Sequence, residues 1–151
     1  KVNIVTTFKK DALPGQKSLE ENDINLFKNN GHVVLFHKWK SGGAHWLTLL
    51  RNKNNDVIIF DSLGKNGMQK DENEFKLLIK RLKENGFKQI TVNEKQYQGN
   101  KSNCCGKYAI WCIAMNKLFN GVNIKTLSNY LYNKKNSSFD NYILKLFSND
   151  M

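Results

Sequence analysis

The sequence predicts an α+β fold in which a small, largely antiparallel sheet is flanked by helices. Three strand-like runs follow one another in the first half of the chain, joined by short polar turns, and segments with helical spacing lie before and after them. Pro14 is the one proline, and no repeat or low-complexity linker divides the chain. With 151 residues, 40% of them hydrophobic, a single core suffices, so one domain spanning residues 1–151 is expected.

Taken in order, Ser18-Leu19-Glu20-Glu21 ahead of Ile24 and Leu26-Phe27 reads as a capped helix that stops near Asn30-Gly31. Strands are expected over Val33 to Trp39, His45 to Arg51 and Val57 to Asp61, separated by Ser41-Gly42-Gly43 and by Asn52-Lys53-Asn54-Asn55. Phe75, Leu78, Ile79 and Leu82 recur at helical spacing, with Gly86 placed for a left-handed cap. Ile90 to Val92 is a short fourth strand. After a polar loop, Cys105 opens an apolar helix carrying Tyr108, Ala109, Cys112, Ile113, Met115, Leu118 and Phe119, which ends at Asn120-Gly121. Two further helices, near Lys125 to Tyr132 and Phe139 to Phe147, complete the chain.

The net charge of +11 is almost wholly lysine, since Arg51 and Arg81 are the two arginines. Such a field favours polyanions, nucleic acid foremost. Abundant lysine and asparagine are also what an AT-rich coding sequence gives, and the lysines are dispersed, adjacent only at Lys9-Lys10 and Lys134-Lys135. No stretch resembles a signal peptide, and no apolar run approaches the roughly 18 residues of a membrane span. A soluble protein, intracellular or packaged in a particle and with no membrane partner, is expected. The chain starts at Lys1, as a processed or trimmed form would. Cys104, Cys105 and Cys112 are too few and too clustered for a disulfide framework, so reduced thiols are expected. His32, His37 and His45 lack metal-ligand spacing, and neither a metal nor an organic cofactor is expected.

His45, Asp61 and Cys105 are the residue types that thiol-based acyl transfer needs: a nucleophile, a base to take its proton and a carboxylate to orient the base. With a hairpin turn centred near Lys53, His45 and Asp61 would face each other directly on one face of the sheet, and a one-residue slip would separate them. A cysteine at a helix start has its thiolate favoured by the unpaired amides there, and its own amide can donate to an oxyanion. Gly106 would permit a close approach to the nucleophile. Gln98, seven residues upstream, can return a side-chain amide to the same spot. Cys104 is the rival nucleophile, Cys112 reads as a buried core thiol, His32 and His37 as structural or solvated, and Trp39 and Trp111 as packing residues.

Gly42-Gly43-Ala44-His45-Trp46, Phe60-Asp61-Ser62-Leu63-Gly64, Gln98-Gly99-Asn100, Ser102 and Cys105-Gly106, in that order, resemble the adenain family of viral maturation proteases and, more distantly, the SUMO-specific proteases of the same clan. The resemblance implies a papain-like, adenain-like cysteine protease fold and a viral endopeptidase that processes capsid and core precursors beside glycine or another small residue. It implies His45 as general base, Asp61 as its partner, Cys105 as nucleophile, and Gln98 with the Cys105 amide as oxyanion hole. Trp46 would shield the imidazole, and Gly42, Gly43 and Gly99 would border the substrate cleft. The setting implied is the virion and the site of virus assembly, with a monomeric enzyme.

Adenain has glutamate at the position of Asp61, whereas the SUMO proteases have aspartate. Lys88-Gln89-Ile90-Thr91 lacks the cysteine through which adenain is joined to its peptide activator, which disfavours a disulfide-linked activator and leaves a noncovalent one. DNA stimulation is implied by the family and compatible with the charge. The alternatives are a protease for ubiquitin-like conjugates, a related thiol acetyltransferase, and a basic DNA-binding protein with a vestigial site.

Overall fold

The computed structural model describes residues 21–38, 43–100, 103–118, 121, 123, 125–127, 129 and 139–148. In chain order these form α1 (Glu21–Asn30), β1 (His32–Lys38), β2 (Ala44–Arg51), β3 (Val57–Phe60), two 3₁₀ turns (Gly64–Asn66 and Met68–Lys70), α2 (Glu72–Glu84), β4 (Ile90–Val92), α3 (Cys105–Leu118) and α4 (Phe139–Leu146). Of the helix expected near Lys125 to Tyr132, residues 125–127 and 129 are helical. Asn123 Oδ1 caps them by accepting from the Thr126 amide at 2.8 Å. The remaining residues of that helix, with Ser18, Trp39, Ser41, Gly42, Ser102 and Phe119, lie outside the described residues.

The four strands are ordered β1-β2-β3-β4. The first two pairings are antiparallel, but β4 runs parallel to β3, so the sheet is mixed. The reason is the connection: α2 carries the chain back along the sheet, and such a crossover returns it in its original direction.

Alternation along the strands divides the core between two faces. Val33, Leu35, Leu47, Leu49, Val57 and Ile59 pack against Ile24 and Phe27 of α1 and Leu78 and Leu82 of α2. Val34, Leu50, Ile58 and Phe60 face the other way, onto Tyr108, Ala109 and Cys112 of α3 with Ile143 of α4 behind. Helices on both faces explain why β3 is apolar at every position, Val57-Ile58-Ile59-Phe60, rather than alternating. They also explain α3, which buries Tyr108, Ala109, Trp111, Cys112, Ile113 and Met115, because a helix between a sheet and a second helix has little solvent face. The buried Thr48 hydroxyl donates to the Ala109 carbonyl at 3.1 Å, tying β2 to α3.

The β2–β3 register differs from expectation by two residues: Thr48 faces Phe60 and Arg51 faces Val57. The turn is the cause. Asn52 donates its amide to Asp56 O at 3.0 Å, its Oδ1 accepts from the amides of Asn54 and Asp56, and Asn55 takes the left-handed conformation with φ 64°. These contacts close a three-residue loop over Lys53-Asn54-Asn55, centred one position later than expected. A shift of two preserves the face each side chain occupies, so His45 and Asp61 still share a face as diagonal neighbours.

The α2 cap is as the sequence indicates. Gly86 has φ 91°, the Phe87 amide donates to Leu82 O at 3.1 Å, and the Phe87 ring lies 5.2 Å from that of Phe27. No helix among the described residues is long and apolar enough to cross a membrane.

Leu82 is fully buried where α2 meets the sheet. Leu82→Ala is expected to lower stability by about 2–5 kcal/mol, read as a lower midpoint in urea unfolding followed by circular dichroism.

Candidate active site

Asp61 follows the last residue of β3, and its carboxylate is the acceptor on which the site is built. His45 Nε2 donates to Asp61 Oδ1 at 2.6 Å, with both residues buried. A carboxylate only accepts, so this contact puts a proton on Nε2 and leaves Nδ1 for the thiol. Oδ1 also accepts from the Leu63 amide at 2.9 Å, and Oδ2 from the Met68 amide at 2.8 Å. The Asp61 peptide is itself clamped: Asn93 Oδ1 accepts from the Asp61 amide at 2.8 Å, and Asn93 Nδ2 donates to the Asp61 carbonyl at 2.6 Å. A Cβ at Gly67 would overlap the Asp61 carboxylate. Gly64, with φ 58°, lies so close to the backbone of Glu94 and Lys95 that a Cβ would collide there too.

Cys105 is the first residue of α3 and is partly exposed. Its sulfur meets the His45 imidazole and the backbone amides of Trp46 and Gly106. Burial pushes this thiol up, but the His45 hydrogen bond, the Trp46 amide, the His45 charge and the Gly106 amide together bring it below its ordinary value. At His45, burial is again the largest single influence and opposes the imidazolium. Hydrogen bonds to Asp61 and Cys105 and the charges of both outweigh it, raising His45 to about 9. Both shifts favour a thiolate–imidazolium pair, which is lost when His45 gives up its proton as pH rises through about 9.

Gln98 is buried on the loop after β4. Its Oε1 accepts from the Ser62 hydroxyl at 2.6 Å, and the amides of Tyr97 and Gln98 both donate to Ser62 O, at 2.8 and 2.9 Å. The loop is joined to the start of α3 through Asp140 of α4: Oδ2 accepts from the Gly99 amide at 2.9 Å, and Oδ1 from Tyr108 Oη at 2.8 Å, with Cys104 Sγ 3.5 Å away. The Tyr108 hydroxyl, which also lies 3.3 Å from Tyr97 O, is pushed well up by burial and by Asp140.

The structure thus brings together His45, Asp61 and Cys105 and latches the Gln98 loop beside them. Gly43 and Gly99 are exposed, and Gly42 lies outside the described residues. Trp46 differs from expectation. Strand alternation sends its ring to the face opposite His45, where it lies 5.0 Å from the Phe36 ring and packs against the α3 core, with its backbone amide meeting the thiol. At Gly106 a Cβ would meet Trp46 Cδ1 of the neighbouring strand at an ordinary 3.7 Å. Cys112 is fully buried and its thiol is pushed far up by that burial. His32 and His37 are both buried in β1, which excludes the solvated reading. All three cysteines are free. Among the described residues no three His, Cys, Asp or Glu side chains gather as metal ligands.

Asn93, Ser62, Asp140 and Gly67 were not identified from the sequence as parts of this site. Ser62 carried a signal, its place directly after the candidate acid; the other three are brought in by tertiary structure alone. No known family model matches the chain, and no curated protein sequence matches it significantly.

Iodoacetamide reads the thiolate directly. The alkylation rate of Cys105, located by mass spectrometry, is expected to rise with a midpoint below the ordinary thiol value of about 8.5. His45→Ala is expected to move that midpoint up. A wild-type midpoint at the ordinary value would contradict the electrostatics described.

Proposed function

We propose that this chain is a cysteine endopeptidase of the adenain type, with a papain-like arrangement of its core, that processes viral capsid and core precursors during particle maturation by cutting beside glycine or another small residue. The observation that carries the reading is the contact of Cys105, at the start of α3, with His45, which is held by Asp61. The substrate class and the virion setting rest on the motif resemblance, and the exposed Gly43 and Gly99 are compatible with a cleft that admits small residues.

In the proposed reaction the Cys105 thiolate attacks the scissile carbonyl carbon, forming the S–C bond while the carbonyl electron pair moves to oxygen. The Cys105 amide, which opens α3 and has no intrahelical acceptor, and the Gln98 side chain donate to that oxyanion. Imidazolium His45 then gives its proton to the departing amine as the C–N bond breaks, leaving a thioester. Neutral His45 next takes a proton from water, hydroxide adds to the thioester, and collapse releases the acid and restores the thiolate.

Cys105→Ala is expected to abolish cleavage of a glycine-containing precursor peptide, and undiminished turnover would overturn the assignment. For the wild type, kcat/KM should fall on the alkaline side near pH 9, because the His45 proton needed by the leaving amine is lost through its raised value.

A polyanion partner is proposed alongside. At the end of β2 remote from His45, a groove of about 180 Å³ is lined by His32, Arg51, Lys53 and Lys117 among neutral residues, with no acidic residue among the described residues of its lining. Arg51 is braced there by donating to Lys28 O at 2.7 Å. Lys53→Ala and Lys117→Ala should each weaken binding of a fluorescein-labelled DNA duplex and reduce the slope of log affinity against log salt by about 1. An unchanged slope in both variants would remove the groove from DNA binding.

A further inference from the structure

Asp61 and Ser62 are consecutive, yet their side chains serve opposite sides of the candidate reaction: Asp61 holds the base and Ser62 holds Gln98. Ser62 and Gln98 are only 2% and 3% exposed, so their 2.6 Å hydrogen bond is made out of competition with bulk water, where a lost partner is costly. Ser62 also fixes the backbone of the same residue, because its carbonyl accepts from the amides of Tyr97 and Gln98. From the other side, Gln96 Nε2 donates to Gln98 O at 2.7 Å.

A glutamine amide has an accepting end and a donating end, and only the donating end stabilises an oxyanion. With the Ser62 hydroxyl donating to Oε1, the NH₂ is the end left on the opposite side of the amide. We infer that Ser62 is a positioning residue that holds the Gln98 side-chain amide in place through its hydroxyl, and that the dipeptide Asp61-Ser62, pinned by Asn93, aligns the base and the oxyanion donor from one anchor. This inference rests on the cysteine-protease reading.

The test compares two reactions of Cys105 in the full chain. Alkylation by iodoacetamide needs the thiolate and forms no oxyanion; capture by a peptide aldehyde ending in glycine forms a thiohemiacetal whose oxygen occupies the oxyanion position. In Ser62→Ala the aldehyde affinity is expected to fall roughly 10- to 100-fold while the alkylation rate and its pH midpoint stay within about twofold of wild type. Ser62→Thr, which keeps the hydroxyl, should restore capture, and Ser62→Ala should add nothing in a Gln98→Ala background. Equal losses in both reactions would mean a general disruption of the site and overturn the inference. Unchanged capture, or full additivity with Gln98→Ala, would overturn it as well. A wild-type thiol that alkylates but is never captured by the aldehyde would overturn the protease reading itself and the inference with it.

Discussion

A buried carboxylate must be surrounded by donors or it will not stay ionised, and satisfying Asp61 organises the end of the sheet where the candidate site lies. It accepts from His45 and from the amides of Leu63 and Met68. Those two amides are presented by the chain as it turns through the 3₁₀ segments immediately after β3. The turn is tight enough to need glycine twice: at Gly64, pressed against the 94–95 backbone with a left-handed φ, and at Gly67, pressed against the carboxylate itself. Asn93 then joins the loop after β4 to the Asp61 peptide with two hydrogen bonds. The short parallel strand β4 is therefore more than an edge to the sheet, since it delivers Asn93 and, beyond it, Gln98.

The electrostatics of the site hang on the same group. Burial alone would leave both His45 and Cys105 neutral, and it is the largest single influence on each. Asp61 tips His45 toward imidazolium, and the imidazolium with the Trp46 and Gly106 amides tips Cys105 toward thiolate. The order of dependence runs from carboxylate to imidazole to sulfur. Breaking a buried ion pair by deleting one member costs about 3–5 kcal/mol because the other is stranded, so loss of Asp61 would remove the reason for charge at both other groups. Cys112 provides the contrast within one helix: two turns along α3, with no such partner and fully buried, its thiol is pushed up instead.

Much of this arrangement was legible in the sequence because it rests on periodicity. Strand alternation and helical spacing located β1 to β4, α2 and α3, and the parity of His45 and Asp61 placed them on one face. Parity is robust where register is not. The turn chemistry of Asn52 and the left-handed Asn55 moved the pairing by two residues, and only an odd shift would have separated the pair. The direction of β4 was not legible, since a three-residue strand looks the same either way and its sense follows from the helix before it. Asn93, Asp140 and Gly67 escaped for a different reason: each acts on a residue remote in sequence or around a turn, and an asparagine, aspartate or glycine in a loop has no period that marks it. Trp46 was misjudged by following the identity of its side chain rather than its strand position, which turns the ring to the face opposite His45, against Phe36 and the start of α3, while its backbone amide meets the thiol.

The candidate active site and the basic groove lie at opposite ends of the same two elements. β2 carries His45 near its start and Arg51 at its end, and α3 carries Cys105 at its start and Lys117 near its end. Six residues of strand span about 20 Å, and twelve residues of helix about 18 Å. At physiological ionic strength charges are screened over about 8 Å, so an anion in the basic groove would have little direct Coulomb effect on the thiolate. Between those ends the buried Thr48 hydroxyl donates to Ala109 O, a polar contact that allows the strand and the helix little sliding.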